Sequence, residues 1–268
     1  LPNRTRAAYL LHDRSVEPFR ISLDNLAPAV ELGAAFWPWT EVVGFELDWR
    51  GIARVRLRQG SDGEYRLVEP RVVVNAAGPW AGRVAALAGT PFDMRPAKGT
   101  MAVTAYRMTR RVVNRLRHPG DGDILVPGGH VSILGTTSVS LSDPEAIAPT
   151  VREVDALLRE GTPMLPDLER TRYIRAYAGV RPIYGGMGQA GGERAAGRGF
   201  VLLDHGGDGV DNFLSLTGGK LTTYRLMAEK CADRVCEILN VDVACRTHEE
   251  PLPSSGSGKC LEHRDSAE

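Results

Sequence analysis

The chain has 268 residues, enough for one large domain or two smaller ones, and its 43% hydrophobic and 25% charged residues are ordinary for a soluble globular protein. Lysine plus arginine and aspartate plus glutamate both number 33, so no net charge draws it onto nucleic acid, and no run of about 18 apolar residues is present to span a membrane. The cysteines, Cys231, Cys236, Cys245 and Cys260, fall late and form no C-x-x-C pair, which speaks against a metal site and for a reducing, cytosolic setting.

The sequence opens without Met and without a signal-peptide pattern, as an internal piece of a longer chain would. Residues 22–32, "SLDNLAPAVEL", read as a helix capped by Ser22 and closed by Gly33, with Pro28 expected to shorten or kink it. Three alternating runs follow, "EVVGFELD", "IARVRLR" and "EYRLVE". Turns at Trp49-Arg50-Gly51 and Ser61-Asp62-Gly63 make them an antiparallel meander. In "RVVVNAAGPWAGRVAALAG", Val72, Val73 and Val74 form the continuous apolar run of a strand buried on both faces. It meets Ala76-Ala77-Gly78 and then a small-residue helix ending at Gly89. Small residues there let a large group approach the backbone, and equally suit tight strand–helix packing.

Residues 92–137 are strand-rich and predict a second, mostly antiparallel sheet. Within them "YRMTRRVVNRLR" reads as a solvated strand-and-loop surface rather than a phosphate-binding face. Thr150 with Glu153 is a capping box, opening a helix with Val151, Val154, Leu157 and Leu158 apolar. Strands return at "RYIRAYAGVRPI" and "GFVLLDH". Between them, Gly186 to Gly191 spells G-x-G-x-x-G. Pro182 weakens the strand before it and no apolar helical period follows, so it reads as a chance match in a mobile connecting loop. Phe213, Leu214 and Leu216 then form a strand ending at Gly218-Gly219. A helix follows directly, with Leu221, Tyr224, Ala228, Cys231, Val235 and Ile238 on one stripe. Residues 251–268 read as a tail.

The strand–Gly-Gly–helix unit carries the more specific chemistry. A helix opening after Gly218-Gly219 aims unsatisfied N–H groups and a positive dipole end at whatever lies above the sheet. Lys220 in its first turn is unfavourable unless an anion is near; the plain alternative is an exposed lysine at a glycine-eased junction. This is not a phosphate-binding P-loop, because Leu221 follows Lys220 and position 214 is Leu. Arg181 is the second candidate: its planar fork suits a phosphate or carboxylate, although an arginine alone equally suits a structural ion pair.

"EPFR", "VVNAAGPW", "RPAKGTM", "ILVPGG", "LGTTS", "YAGVRPI", "VLLDH" and "TGGKLTTYRLMAE", in this order, resemble the FAD-dependent glycerol-3-phosphate dehydrogenases, above all the catalytic A subunits of the anaerobic type. The resemblance runs from about residue 15 to 252; "TGGKLTTYR" and "AGVRP" are its specific signals. It implies an α/β (α+β) fold of the D-amino-acid-oxidase/glycerol-3-phosphate-dehydrogenase group. Residues 1–90 and 200–250 would belong to an incomplete FAD-binding domain and 91–199 to an antiparallel-sheet substrate domain. It implies oxidation of sn-glycerol 3-phosphate to dihydroxyacetone phosphate, with electrons passed through other subunits to a quinone. The implied location is cytoplasmic, or peripheral on the inner face of the cell membrane through partner subunits. Arg181 and Lys220 would be catalytic and bind substrate, with Thr136 and Thr137 in the pocket floor. Ala77, Gly78, Pro79, Gly218, Gly219, Lys220, Leu221 and Thr222 would line the cofactor.

Two departures qualify the resemblance. Where the aerobic branch has a His proposed as proton acceptor, this chain has Met101, which cannot take a proton; anaerobic-type sequences are also apolar there. The initial βαβ unit with its pyrophosphate-binding G-x-G-x-x-G and a substrate-contacting Arg are both missing, so the chain is expected to be the middle portion of a longer enzyme. The competing readings are an amine or amino-acid oxidase of the same fold, and a non-catalytic domain that binds a phosphorylated polyol.

Overall fold

The computed structural model describes residues 5, 7–12, 16–60, 63–186 and 199–253. They fall into two compact units, one of Leu1–Ser15, Val74–Leu203 and Ser215–Lys220, the other of Val16–Val73, Asp204–Leu214 and Leu221–Glu268. Helix α1, Pro18–Glu31, opens the second of these. It starts a turn earlier than Ser22 because Pro18 brings a helical φ to its first position and the Glu17 carboxylate accepts from the Phe19 N–H (3.4 Å). Ser22 is not the cap; its hydroxyl donates to the Pro18 carbonyl at 2.8 Å. Nor does Pro28 stop the helix. A proline lacks only its own N–H, and its carbonyl still accepts from the Leu32 N–H at 3.0 Å. Gly33, at φ +97°, follows the helix end as expected.

The meander is as expected: β1 (Thr40–Asp48), β2 (Gly51–Gln59) and β3 (Glu64–Val68) pair antiparallel in that order. Ile52, Val55 and Leu57 of β2 are buried, while the alternate Arg54, Arg56 and Arg58 pair with Glu46, Glu69 and Glu41. The Asn212 side chain clips the start of β2, accepting from the Ile52 N–H (2.8 Å) and donating to the Ile52 carbonyl (2.9 Å).

The other unit follows from β4, Val73–Asn75, through a 3-10 turn at Gly78–Trp80 into α2, Ala81–Leu87. Its main sheet holds β5 (Ala97–Thr104), β6 (Val113–Asn114), β7 (Ile124–Gly128), β8 (Val131–Gly135), β9 (Val139–Ser140) and, after helix α3 (Val151–Gly161), β10 (Tyr173–Arg181). The order is β10-β5-β8-β7-β6, antiparallel throughout, with β9 on β5. Ala102, Leu125 and Leu134 meet Leu157 of α3 in a core completed by Met164 and Leu168. In α3 the capping box is present, but Val151 is 78% exposed at the first helical position, and Glu153 is buried instead. Arg115 and Arg117 are also more than solvated surface. Arg115 donates to the Glu160 carbonyl at 2.6 Å, and Arg117 pairs with Asp123 (2.6 Å) and Glu160 (3.2 Å), tying the 117–123 loop to the end of α3.

The third sheet runs β11 (Phe200–Asp204), β12 (Phe213–Gly218), β4, in that order. Val74 is 41% exposed, because β4 is the outer strand of this sheet among the described residues, so the expected burial on both faces is not found. Helix α4, Tyr224–Leu239, does not follow Gly219 directly; a 3-10 turn, Leu221–Thr223, intervenes and Lys220 precedes it. Of the expected apolar stripe, Cys231 is buried but Leu221 and Ala228 are exposed. Asn240, left-handed at φ +54°, ends the helix.

Gly122, at φ +62°, seats its loop against α3 so closely that a Cβ would stand 2.7 Å from the Leu157 carbonyl oxygen and 2.9 Å from the Gly161 nitrogen. Helix backbone cannot yield as a side chain does. Gly122→Ala is therefore expected to cost at least about 2 kcal/mol, seen as a lowered midpoint in urea unfolding.

Candidate active site

The β5–β10 register sets the site. Gly179 lies opposite Gly99, Tyr177 opposite Met101, and Met101 also faces Gly135 of β8. Alternation puts Gly99, Met101, Gly135, Tyr177, Gly179 and Arg181 on one face, so three glycines leave the sheet bare between the larger side chains. Arg181, half-buried at the end of β10, lies across this bare backbone; a Cβ on Gly99 would stand 2.5 Å from its Nη2. Its fork donates to the Thr136 hydroxyl at 2.6 Å and to the Thr137 carbonyl at 3.3 and 3.4 Å. Thr137 is buried and committed to β5: its hydroxyl accepts from the Thr100 N–H (2.9 Å) and its N–H donates to the Thr100 carbonyl (3.2 Å).

The opposite face of β5 holds a pair of buried charges. Lys98, only 6% exposed, approaches Glu153 at 3.0 Å and donates to the Ala148 carbonyl at 2.9 Å. Burial raises the Glu153 pKa. Hydrogen bonds from the Thr150 hydroxyl (2.7 Å), the Lys98 ammonium, the Thr150 N–H (2.8 Å) and the Thr100 hydroxyl (3.1 Å) outweigh that, and hold the carboxyl below the ordinary glutamate range.

The turn after β4 is shaped by Asn75, which is buried. Its amide donates to the Ala81 carbonyl (2.8 Å) and the Ser215 hydroxyl (3.0 Å), and its oxygen accepts from the Ala77 N–H (3.2 Å). Ala77 thus caps a 3-10 turn, Gly78–Trp80, that lies beside β10, the strand of Arg181. Gly78 is left-handed at φ +58°, and a Cβ on it would enter open space. The Trp80 indole donates to Glu145 at 2.7 Å, and Arg83 pairs with Asp143 at 2.7 Å, so the 141–149 segment holds the far side of this turn.

At the end of β12, Gly218 and Gly219 are both left-handed, at φ +78° and +76°. The Gly219 N–H reaches the Gly199 carbonyl at 2.9 Å. Lys220 is exposed just beyond them, and Leu221 and Thr222, also exposed, open the 3-10 turn of the other unit. Of the sequence-derived residues, Arg181, Thr136 and Thr137 form one hydrogen-bonded group. The turn at 77–79 lies by the same strand, whereas 218–222 form a separate stretch at the end of β12. In the 186–191 match only Gly186 is among the described residues; the rest of that expectation lies outside them. Asn75, Lys98 and Thr100 carry the geometry although nothing in the sequence marks them for that role, and Glu153 reads in sequence only as a cap. Burial gives no local signal either, because β5 is buried along both faces except at Met101.

The model of the FAD dependent oxidoreductase family matches residues 1–225. The chain belongs to that family. Among curated members, it is 42% identical over 246 residues to the A subunit of the anaerobic glycerol-3-phosphate dehydrogenase of Escherichia coli (strain K12), a match covering 91% of this chain and 45% of that protein. It is 40% identical over 262 residues to the A1 subunit of the Haloferax volcanii anaerobic glycerol-3-phosphate dehydrogenase, covering 93% and 44%. The crystal structure of glycerol-3-phosphate dehydrogenase from Bacillus halodurans complexed with FAD superposes with a TM-score of 0.68 at 25% identity, over 85% of this chain and 44% of that one. The chain therefore spans a little under half the length of the curated relatives it matches. The mixed α/β fold with antiparallel sheets is that of the FAD dependent oxidoreductases. Among the described residues, no helix is long and apolar enough to cross a membrane.

A buried charge that loses its partner is costly, so Lys98→Met is expected to destabilise this oxidoreductase chain by about 3 kcal/mol in urea unfolding. The lowered Glu153 pKa means its contribution is complete above the ordinary glutamate range and lost as pH falls through the lowered value. The stability gap between the unchanged chain and Glu153→Gln should therefore be widest at neutral pH and narrow steadily below about pH 4.

Proposed function

We propose that this chain supplies the substrate-binding sheet and the flavin-side turns of an FAD-dependent glycerol-3-phosphate dehydrogenase of the anaerobic type. The reaction is oxidation of sn-glycerol 3-phosphate to dihydroxyacetone phosphate. The observation that carries the reading is Arg181, a guanidinium fork held across a glycine-bared sheet face and fixed by Thr136 and Thr137. A planar double donor with an immobile base suits a phosphate dianion, and its cost of ordering is already met by the protein.

The residues at hand suit the ring end of FAD. A Cβ on Gly78 would meet nothing within 4 Å, and the left-handed Gly218-Gly219 pair carries no side chain over its backbone, so neither turn obstructs a flat group from its own side chains. Ala77, Gly78, Pro79, Gly218, Gly219, Lys220, Leu221 and Thr222 would hold it, and when bound it supplies the acceptor for a hydride from the substrate C2 carbon. Lys220 adds positive charge beside the glycine pair, where a cation favours an anionic ligand. Residues 1–90 and 200–250 fall to the FAD-binding domain in this reading, and 91–199 to the substrate domain. Met101 takes no proton, so its part is to fill space beside Gly135. Electrons passing to a quinone through other subunits, and a cytoplasmic or peripherally membrane-bound location, follow from the likeness to the anaerobic-type enzymes.

Two experiments test the reading. In the full-length enzyme, since this chain alone is expected to turn over little or nothing, Arg181→Lys keeps the charge but loses the fork; it should raise the KM for glycerol 3-phosphate by up to about a hundredfold while leaving turnover of unphosphorylated glycerol nearly unchanged. An unchanged KM removes Arg181 from the phosphate role. Incubating the purified chain with excess FAD and desalting should leave a visible flavin band with the protein. Ala77→Phe, at an ordinary φ of −73°, should lose the band while keeping its far-ultraviolet circular dichroism. No band in either protein would show that these turns do not hold the cofactor on their own.

A further inference from the structure

The Lys98–Glu153 pair lies on the side of β5 away from Arg181, yet hydrogen bonds to the side chain and to the backbone of Thr100 join them through that one residue. We infer that Glu153, acting through Thr100, is a positioning residue for the Arg181 fork; this inference rests on the reading of Arg181 as the phosphate-binding group.

The path is short and every step is directional. Glu153 Oε2 takes Lys98 Nζ at 3.0 Å together with the Thr150 N–H and hydroxyl, which leaves Oε1 to accept the Thr100 hydroxyl at 3.1 Å. A threonine hydroxyl has one hydrogen, so this bond fixes the Thr100 rotamer. The Thr100 backbone exchanges two hydrogen bonds with Thr137, at 2.9 and 3.2 Å, and the Thr137 carbonyl then receives both terminal nitrogens of Arg181. Thr100 and Thr137 are 0% and 2% exposed, so water cannot substitute along this path. The guanidinium is anchored on the 136–137 segment, and that segment is anchored on the part of β5 gripped from below by the carboxylate. A residue concerned with α3 alone would need only the capping box, which Thr150 completes without Thr100 or Lys98.

The test uses Thr100→Val, which keeps shape and strand propensity but deletes the hydroxyl, with Thr100→Ser as the variant that retains it. Glu153→Asp serves as a second probe, keeping charge for Lys98 while withdrawing the carboxylate from Thr100. In the full chain, the Arg181 Nε–Hε signal, identified by its loss in Arg181→Lys, is followed by NMR during titration with inorganic phosphate. We expect Thr100→Val and Glu153→Asp to move or broaden that signal before any phosphate is added. Both should weaken phosphate binding about tenfold, and Thr100→Ser should restore signal and affinity. If phosphate fails to move the signal in the unchanged chain, the phosphate reading fails, while the ligand-free spectra still decide the relay. An Arg181 signal and phosphate affinity unchanged in a folded Thr100→Val chain would overturn the inference. If Thr100→Val does not fold, Glu153→Asp decides on the same two readouts.

Discussion

The arrangement depends on burying one ammonium and one carboxylate together beneath β5. Neither Lys98 nor Glu153 would be tolerated there alone, since an unpaired charge out of water costs several kcal/mol. As a pair they require α3 to begin at Thr150, the chain before it to present the Ala148 carbonyl, and β5 to show its Lys98–Thr100 side to the helix. Those requirements fix the strand's facing, and the facing turns Gly99 outward under Arg181. A hydrophobic pair of similar size would hold the helix as firmly, but it would not dictate which side chains of the strand point outward. The charges contribute specificity of arrangement more than net stability.

Much of this is legible along the chain, where local chemistry decides. The meander follows from alternation and glycine turns, and the capping box from Thr150 and Glu153. The grouping of Arg181 with Thr136 and Thr137 comes from ordered motifs rather than from periodicity. What cannot be read is where long-range packing overrides a local sign. A capping-box glutamate looks the same in sequence whether solvent or a lysine 55 positions earlier lies above it. The three valines before Asn75 look buried because their composition does not reveal that β4 is the outer strand of its sheet among the described residues. Pro28 looks like a break because propensity counts the missing donor and not the carbonyl that still accepts.

The end of β12 shows the opposite case, in which local geometry overrides an expected element. Two consecutive left-handed glycines swing the chain before any helical hydrogen bond can form, so Lys220 sits outside the helix and a 3-10 turn precedes α4. Any favourable field at this point comes from backbone N–H groups of a short turn and from the Lys220 charge, rather than from the full length of α4.

The rungs of Arg54, Arg56 and Arg58 against Glu46, Glu69 and Glu41 have a consequence of another kind. Each cation is answered across the strands by an anion, so the outer face of the meander is densely charged yet nearly neutral at the scale of a passing molecule. A polyanion gains little by landing on it. The neutrality is electrical only: Tyr65 and Leu67, opposite Arg58 and Arg56 and 65% and 55% exposed, leave apolar surface on the same face among the matched charges.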